Sequence, residues 1–373
     1  MNWRMSSSIT CAVFFLASCS IHEPVGDREK LVLEVNDSRF DSYLQKMVAK
    51  EHFTGVALVM REGNILHAKG YGAATSNRAN DVDTEFHVGS ITKEFTAAAI
   101  MQLVEKGVLK LDGHINSYLP AKYRSEKWDA VTVHHLLSHT SGIPNYAVTR
   151  DYYHVVKGFC PADTVDGMVR EAMGKDLEFS PGSKYAYADL GYTLLGIIIE
   201  NQTHTSYANY IKKHILNAMG MASSRIHVVG RAPDEDEAEG LRWSAELGRH
   251  VPDDVVSLPS TAPDGGLITT LGDFVRWARI FSAGDQTILS QDSIKLMSTP
   301  QIRIGNGGPL DAMGYGLYVG DRLIGHGGLV VGFSSQFVYD RDTRSLVVVF
   351  SNDVSGNPQE VVFGLLTLLL TPH

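Results

Sequence analysis

Both ends of this 373-residue chain read as β-structure, and that constrains the fold more than any other feature. Gly55 to Met60 is an apolar strand, Arg61-Glu62-Gly63-Asn64 a hairpin turn, and Ile65 to Tyr71 a second strand. Near the other terminus, Tyr315 to Val319, Arg322 to Gly325, Ser334 to Asp340 and Leu346 to Ser351 are strands parted by Gly- and Asp-rich turns. The stretch from Gln102 to Ser260 is mostly helical, with long loops. Strand backbones need partners, so the two ends must join one antiparallel sheet. The expected fold class is therefore α/β (α+β): an antiparallel sheet flanked by helices, carrying an inserted, mostly helical subdomain. Flanking helices are expected over Phe40 to Glu51 and from Pro358 onward.

The net charge of -9, with basic residues scattered, leaves no footprint for nucleic acid and no polybasic membrane patch. A small-molecule, peptide or ester substrate fits better. At the start, Arg4 precedes a short apolar core, Ile9 to Ala17, and Leu16-Ala17-Ser18 leads into Cys19. This resembles a bacterial lipobox. The resemblance implies a signal peptide over residues 1–18 and a lipid anchor on Cys19. Because Ser20 rather than Asp follows, it also implies a lipoprotein of the cell envelope at the outer membrane, facing the periplasm. An ordinary secretory signal is the alternative. Residues 19–37 read as a tether and 38–373 as the catalytic domain. No later run is long and apolar enough to span a bilayer; Val361 to Leu370 reads as a packed terminal helix.

Ser90-Ile91-Thr92-Lys93 follows Gly89 and heads the helical run Glu94 to Glu105. On a helix this spacing sets the Ser90 hydroxyl and the Lys93 amine one turn apart on one face, where an amine can take a nucleophile's proton. A helix N-terminus also lends positive potential to a developing oxyanion. The plain structural alternative is an N-capping serine beside an exposed lysine.

Two more segments weigh against that alternative: Tyr185-Ala186-Tyr187-Ala188-Asp189, leading into the apolar run Leu190 to Glu200, and Gly325-His326-Gly327-Gly328 on a late strand. With Phe86-His87-Val88-Gly89-Ser90, Leu136 to Pro144, and Gly265-Gly266-Leu267-Ile268-Thr269-Thr270, the chain resembles the serine β-lactamase and penicillin-binding protein superfamily. The likeness is greatest to its class C-related branch of β-lactamases, D-aminopeptidases and esterases, and runs from Phe53 to Asn352. It implies the β-lactamase/transpeptidase-like fold, Ser90 as nucleophile, Lys93 as its proton partner and Tyr187 as proton carrier to the leaving group. Tyr185, two residues earlier, is the rival tyrosine. No cofactor and no metal are implied.

Asp189 stands where the family's Tyr-x-Asn motif has Asn. An ionised Asp only accepts hydrogen bonds, so it should favour a charged Lys93 and weaken recognition of a substrate amide. His326-Gly327-Gly328 occupies the place of the Lys-Thr-Gly motif; it removes a fixed cation, which argues against dependence on a substrate carboxylate. By family position, the Ser90 and Leu329 N–H groups form the oxyanion hole. Asp189, His326, Gly327, Gly328 and Leu329 are thus the expected substrate-binding residues.

The expected activity is a serine hydrolase working through an acyl-enzyme on esters, D-amino-acid peptides or β-lactams, with an esterase or peptidase ranked ahead of a dedicated lactamase. A catalytically weak envelope-binding protein, using the same cleft for peptidoglycan fragments or a protein partner, is the second reading. A zinc hydrolase on His135 and His139 is the third, although no Glu lies between them to act as base. Cys160 reads as a buried structural thiol, and the acidic run Asp234 to Glu239 as a solvated loop.

Overall fold

The computed structural model describes residues 35–146, 160–253, 261–282 and 285–371. The expected signal peptide, the Cys19 lipidation site and most of the tether lie outside these residues, as do 147–159 and 254–260.

Nine strands form the main sheet: β1 (Val35–Asn36), β2 (Gly55–Arg61), β3 (Asn64–Tyr71), β4 (Ile302–Arg303), β5 (Ala312–Met313), β6 (Tyr318–Val319), β7 (Leu323–Val330), β8 (Phe333–Asp340) and β9 (Ser345–Ser351). Their spatial order is β1-β3-β2-β9-β8-β7-β6-β5-β4, with every pairing antiparallel. The join between the chain ends is β9 on β2, from Ser345↔Arg61 to Ser351↔Gly55. Leu346 to Phe350 is an unbroken apolar run because this central strand is buried on both faces.

Helix α1 (Ser38–Glu51) starts at the Asp37 cap, whose side chain accepts the Arg39 N–H, and ends at His52 in the left-handed conformation. Pro358 occupies the first turn of the terminal helix α4 (Pro358–Leu370), where its missing N–H costs nothing. Phe40, Leu44 and Met47 of α1 and Val361, Val362, Leu365 and Leu369 of α4 pack on Val338, Val347 and Val349. Each fully buried side chain of this kind contributes about 1.5–3 kcal/mol. The opposite face carries Phe337 and Phe350, both packed edge-on against Phe274. Helices α2 (Thr92–Glu105) and α3 (Asp189–Thr203) lie in the region between the two sets of strands.

Several elements depart from expectation. Between Gln102 and Ser260 the chain also holds short strands, Arg225–Ile226 and the hairpin Leu241–Ser244 with Arg249–Pro252. The strand expected over Tyr315 to Val319 shrinks to two residues, because Gly314 and Leu317 close a turn and the Tyr315 N–H bonds Met297. The strand expected over Arg322 to Gly325 runs on to Val330, paired throughout with β8. The acidic run is not simply solvated: Glu237 is nearly buried and bonds His87 and Arg225. No helix among the described residues is long and apolar enough to cross a membrane.

Candidate active site

Ser90 sits on a 3-10 turn, Gly89–Ile91, which runs directly into α2 at Thr92. Gly89 has a φ of 53°, and a Cβ there would lie 2.8 Å from the Leu329 backbone nitrogen. Only glycine fits this left-handed contact, and it holds Ser90 against the end of β7. Gly328 approaches still closer: a Cβ would meet the Val88 carbonyl at 1.9 Å. The two glycines thereby hold the backbones of Ser90 and Leu329 side by side, as an oxyanion hole requires.

Lys93 is fully buried. Its Nζ donates to Ser90 Oγ at 2.9 Å, Asp189 Oδ1 at 2.8 Å and the Asp264 carbonyl at 2.9 Å, and lies 5.0 Å above the Tyr187 ring. Tyr187 lines the same cleft as Ser90. Burial, reinforced by the charge of Asp189, pushes this phenol well above its ordinary range, so it is neutral at rest. Tyr185 lines the same cleft but stands edge-on to His139, with no contact to Lys93 of the kind that Tyr187 makes. Ser90, Lys93 and Tyr187 therefore meet at one point, and Tyr185 stands apart from it.

Asp189 opens α3, its side chain one-quarter exposed (26%) toward the cleft. Burial raises its carboxyl, but the charge and hydrogen bond of Lys93 and a 3.2 Å bond from the Asn145 amide outweigh this and hold it below the ordinary range. Asn145 also accepts the Leu190 N–H, at 3.1 Å.

His326 is buried, with Nδ1 2.5 Å from the Gly327 carbonyl. An Nδ1–H donor is the tautomer that this contact selects, so Nε2 keeps a lone pair. Burial and the charge of Lys93 lower the imidazole to about 3, so it is neutral at physiological pH and leaves no cation in the place of the family lysine. Gly327, Gly328 and Leu329 line the cleft with Ser90, Tyr187, Asp189 and His326; the whole cleft encloses about 740 Å³.

Three residues that the sequence reading did not assign to the site support it. His139, at φ 55°, accepts the Ala188 N–H at 3.1 Å and stacks on the Tyr187 ring at 4.3 Å. Burial, then Lys93, lowers it to about 3, so an uncharged plate fixes the phenol. Asp264 is buried beneath Lys93 and accepts from Tyr146, Thr193 and Thr261; burial pushes its carboxyl up to about 7. Its sequence signal is the capping-box spacing Thr261-x-x-Asp264. Asn145, the third, has no local signal.

The histidines of the zinc reading are spent elsewhere. His135 Nδ1 accepts the Thr132 N–H, His134 pairs with Tyr315, and His139 serves Ala188. Among the described residues, no cluster of His, Cys, Asp or Glu could hold a metal ion. Cys160 is buried, and burial raises its thiol to about 12.

Comparison with known proteins bears on the family and the fold. Penicillin-binding protein 4* of Bacillus subtilis (strain 168) is 29% identical over 81% of this chain and 69% of its own length. The octameric penicillin-binding protein homologue from Pyrococcus abyssi matches with a TM-score of 0.77 at 32% identity, over 89% of this chain and 77% of that one. The D-amino acid amidase from Ochrobactrum anthropi SV3 has a TM-score of 0.71 at 22% identity, over 90% of this chain and 100% of that one, a likeness of fold alone. The family model described as Beta-lactamase matches residues 40–367, and by that span the chain belongs to the Beta-lactamase family.

Proposed function

We propose that this chain is a serine hydrolase that forms an acyl-enzyme on Ser90, with esters and D-amino-acid peptides as substrates ahead of β-lactams. The observation that carries the reading is the 2.9 Å bond between Ser90 Oγ and a fully buried Lys93. A solvated lysine would serve as an ordinary surface charge; this one is spent on the nucleophile and its neighbours. Ser90 attacks the carbonyl, its proton passing to the Lys93/Tyr187 pair while the Ser90 and Leu329 N–H groups receive the oxyanion. Tyr187 protonates the leaving group, and water then releases the acyl group. A neutral His326 supplies no charge for a substrate carboxylate, which supports ranking esters and peptides ahead of β-lactams. The lipid anchor on Cys19 belongs to the same proposal and places this chemistry at the cell envelope.

The test is to incubate the full chain separately with a nitrophenyl ester, a D-amino-acid nitroanilide and a penicillin. Product release and the intact mass of the protein are recorded for wild type and Ser90→Ala. Turnover or a covalent adduct that disappears in Ser90→Ala is expected. Turnover that survives in Ser90→Ala, or neither turnover nor adduct with any of the three, sinks the reading and favours the binding protein.

A further inference from the structure

A second cavity, of about 620 Å³, lies outside the cleft and shares no lining residue with it. Its floor is one face of a three-stranded sheet made by Phe86–His87, Leu267–Thr269 and Arg225–Ile226. Ile268 pairs with His87 on one side and Arg225 on the other, which sets the three side chains in a row on that face. Phe86, the preceding residue, packs on Phe350 and so points the opposite way, into the core. One wall is the turn from β7 to β8, where Val331 and Phe333 line the cavity and the Phe333 ring lies 4.9 Å from that of His87.

The floor holds charge that acyl transfer does not use. Glu237 joins His87, at 2.8 Å, to Arg225, and Arg225 continues to Glu85. These four side chains are only 8 to 15% exposed. An apolar filling of such a space is often the more stable one, so stability alone does not account for the network. Burial raises the Glu237 carboxyl, but His87 and Arg225 outweigh it and hold the group down at about 2, so it is ionised. Arg225 and Arg231 both meet Asp234, while Glu235 and Glu239 stand exposed at the rim with no cationic partner among the described residues. The cavity therefore sets an excess of negative charge beside the apolar surfaces of Ile226, Val331 and Phe333. An aromatic ring among carboxylates favours a cation.

Both segments of the proposed oxyanion hole run past this cavity. His87 stands three positions before Ser90, and Val331 two after Leu329. The Val88 N–H is fixed on Leu267 of the floor sheet at 3.1 Å, and the Gly332 N–H on Asp253 of the cavity wall at 2.9 Å. We propose that the cavity binds a small organic cation with an apolar body, which braces His87 against the β7–β8 turn, holds the Ser90 and Leu329 N–H groups side by side, and raises turnover. The cation site stands on the cavity alone, and its effect on turnover rests on the serine-hydrolase reading. Coupling passes through two short backbone runs, His87 to Ser90 and Leu329 to Val331.

The probe is benzyltrimethylammonium, whose charge is permanent and whose nitrogen cannot take an acyl group; benzyl alcohol and phenylacetate are its neutral and anionic counterparts. Each is titrated calorimetrically into the full chain at low salt. The cation should bind saturably, at least about tenfold more tightly than benzyl alcohol, and phenylacetate should not bind. Glu235→Lys combined with Glu239→Lys, at exposed rim positions, should weaken the cation at least about tenfold, whereas Asp189→Asn in the cleft should leave its affinity unchanged. Melting temperatures report that both variants fold. With the site saturated, kcat for a nitrophenyl ester should rise at least about twofold with little change in KM. Equal binding of the three probes, binding lost in Asp189→Asn and kept in the rim variant, or a measurable kcat that does not rise overturns the proposal. Selective binding of the cation by a chain that turns over neither ester, nitroanilide nor penicillin would retain the site and refute the hydrolase.

Discussion

Replacing Gly89 by alanine separates two roles of one residue: its left-handed backbone and its contact with β7. At φ 53° any side chain costs about 1–2 kcal/mol. The new methyl would also stand 2.8 Å from the Leu329 nitrogen and 3.2 Å from the Gly328 carbon, so the turn and the strand must part by on the order of half an ångström. That movement pulls the Ser90 and Leu329 N–H groups apart. Loss of one oxyanion donor costs about a hundredfold or more in kcat. We expect Gly89→Ala to lower kcat for ester hydrolysis about a hundredfold, with little change in KM, and to lower Tm by about 5 °C. Gly63→Ala is the control, because Gly63 has a φ of 83° but no atom within 4 Å of its added Cβ. It should lose stability and keep kcat. A kcat for Gly89→Ala within about threefold of wild type, alongside a lowered Tm, would refute the placing of the hole between these two backbones.

The two buried histidines make the fold sensitive to acid. His139 and His326 both sit near 3 in the folded chain, below the unfolded value of 6.5, so their contribution is full above that value and lost as pH falls toward 3. Asp264, raised to about 7, works the other way between pH 7 and 4 and offsets part of the loss. Thermal melts of wild type should therefore fall below pH 6, and His326→Asn should flatten the slope; an unchanged slope in the variant counts against a neutral, buried His326. Glu237 is held near 2 because its bonds to His87 and Arg225 outweigh burial. Its contribution is present above pH 4.5 and lost toward 2, so Glu237→Gln should cost about 2 kcal/mol at pH 7 by denaturant unfolding. The difference should shrink in acid, and a pH-independent one would exclude the charge as its source. Tyr187→Phe should slow amide hydrolysis by at least about tenfold more than hydrolysis of a nitrophenyl ester, whose leaving group needs no proton. Equal losses on both would remove Tyr187 from leaving-group protonation.

How much of this was legible in the sequence depended on the range of the interaction. The β2–β3 hairpin and strands β8 and β9 announce themselves through continuous apolar runs and turn residues, and their edges moved by a residue or so. The two-residue strands β4 and β5 carry no period to detect and exist because β6, itself paired on β7, offers β5 an edge and β5 offers one to β4. Glycines hid the full length of β7, since their low strand propensity is overridden by pairing with β8 along every residue. At the site, Ser90 and Lys93 are visible because a helical turn joins them. Asp264 reaches Lys93 from 171 positions away through a backbone carbonyl, which any residue possesses and no composition reveals. Glu237 read as solvent-exposed because its partners lie outside the acidic run, His87 150 positions away and Arg225 12.

On the proposed acyl-enzyme reading, Asp189 in the place of the family's Asn changes the first proton transfer more than it changes the architecture. An ammonium has three hydrogens, and Lys93 finds three acceptors: Ser90 Oγ, Asp189 Oδ1 and the Asp264 carbonyl. With a carboxylate among them, Lys93 is fully engaged as a donor, and Ser90 receives a hydrogen from it rather than giving one up. On the proposed mechanism the Ser90 proton then passes toward Tyr187, whose ring lies 5.0 Å from the Lys93 nitrogen in the same cleft. That phenol is pushed too high to wait as a phenolate, so it cannot act as a standing base. It can accept the Ser90 proton only as it surrenders its own to the leaving group. Concerted relay satisfies both constraints: no phenolate forms, and the Lys93 charge, 5.0 Å from the ring, steadies the oxygens while the protons move. The stack of His139 on Tyr187 gains a purpose here, because a relay of this kind fails if the ring swings away from the serine.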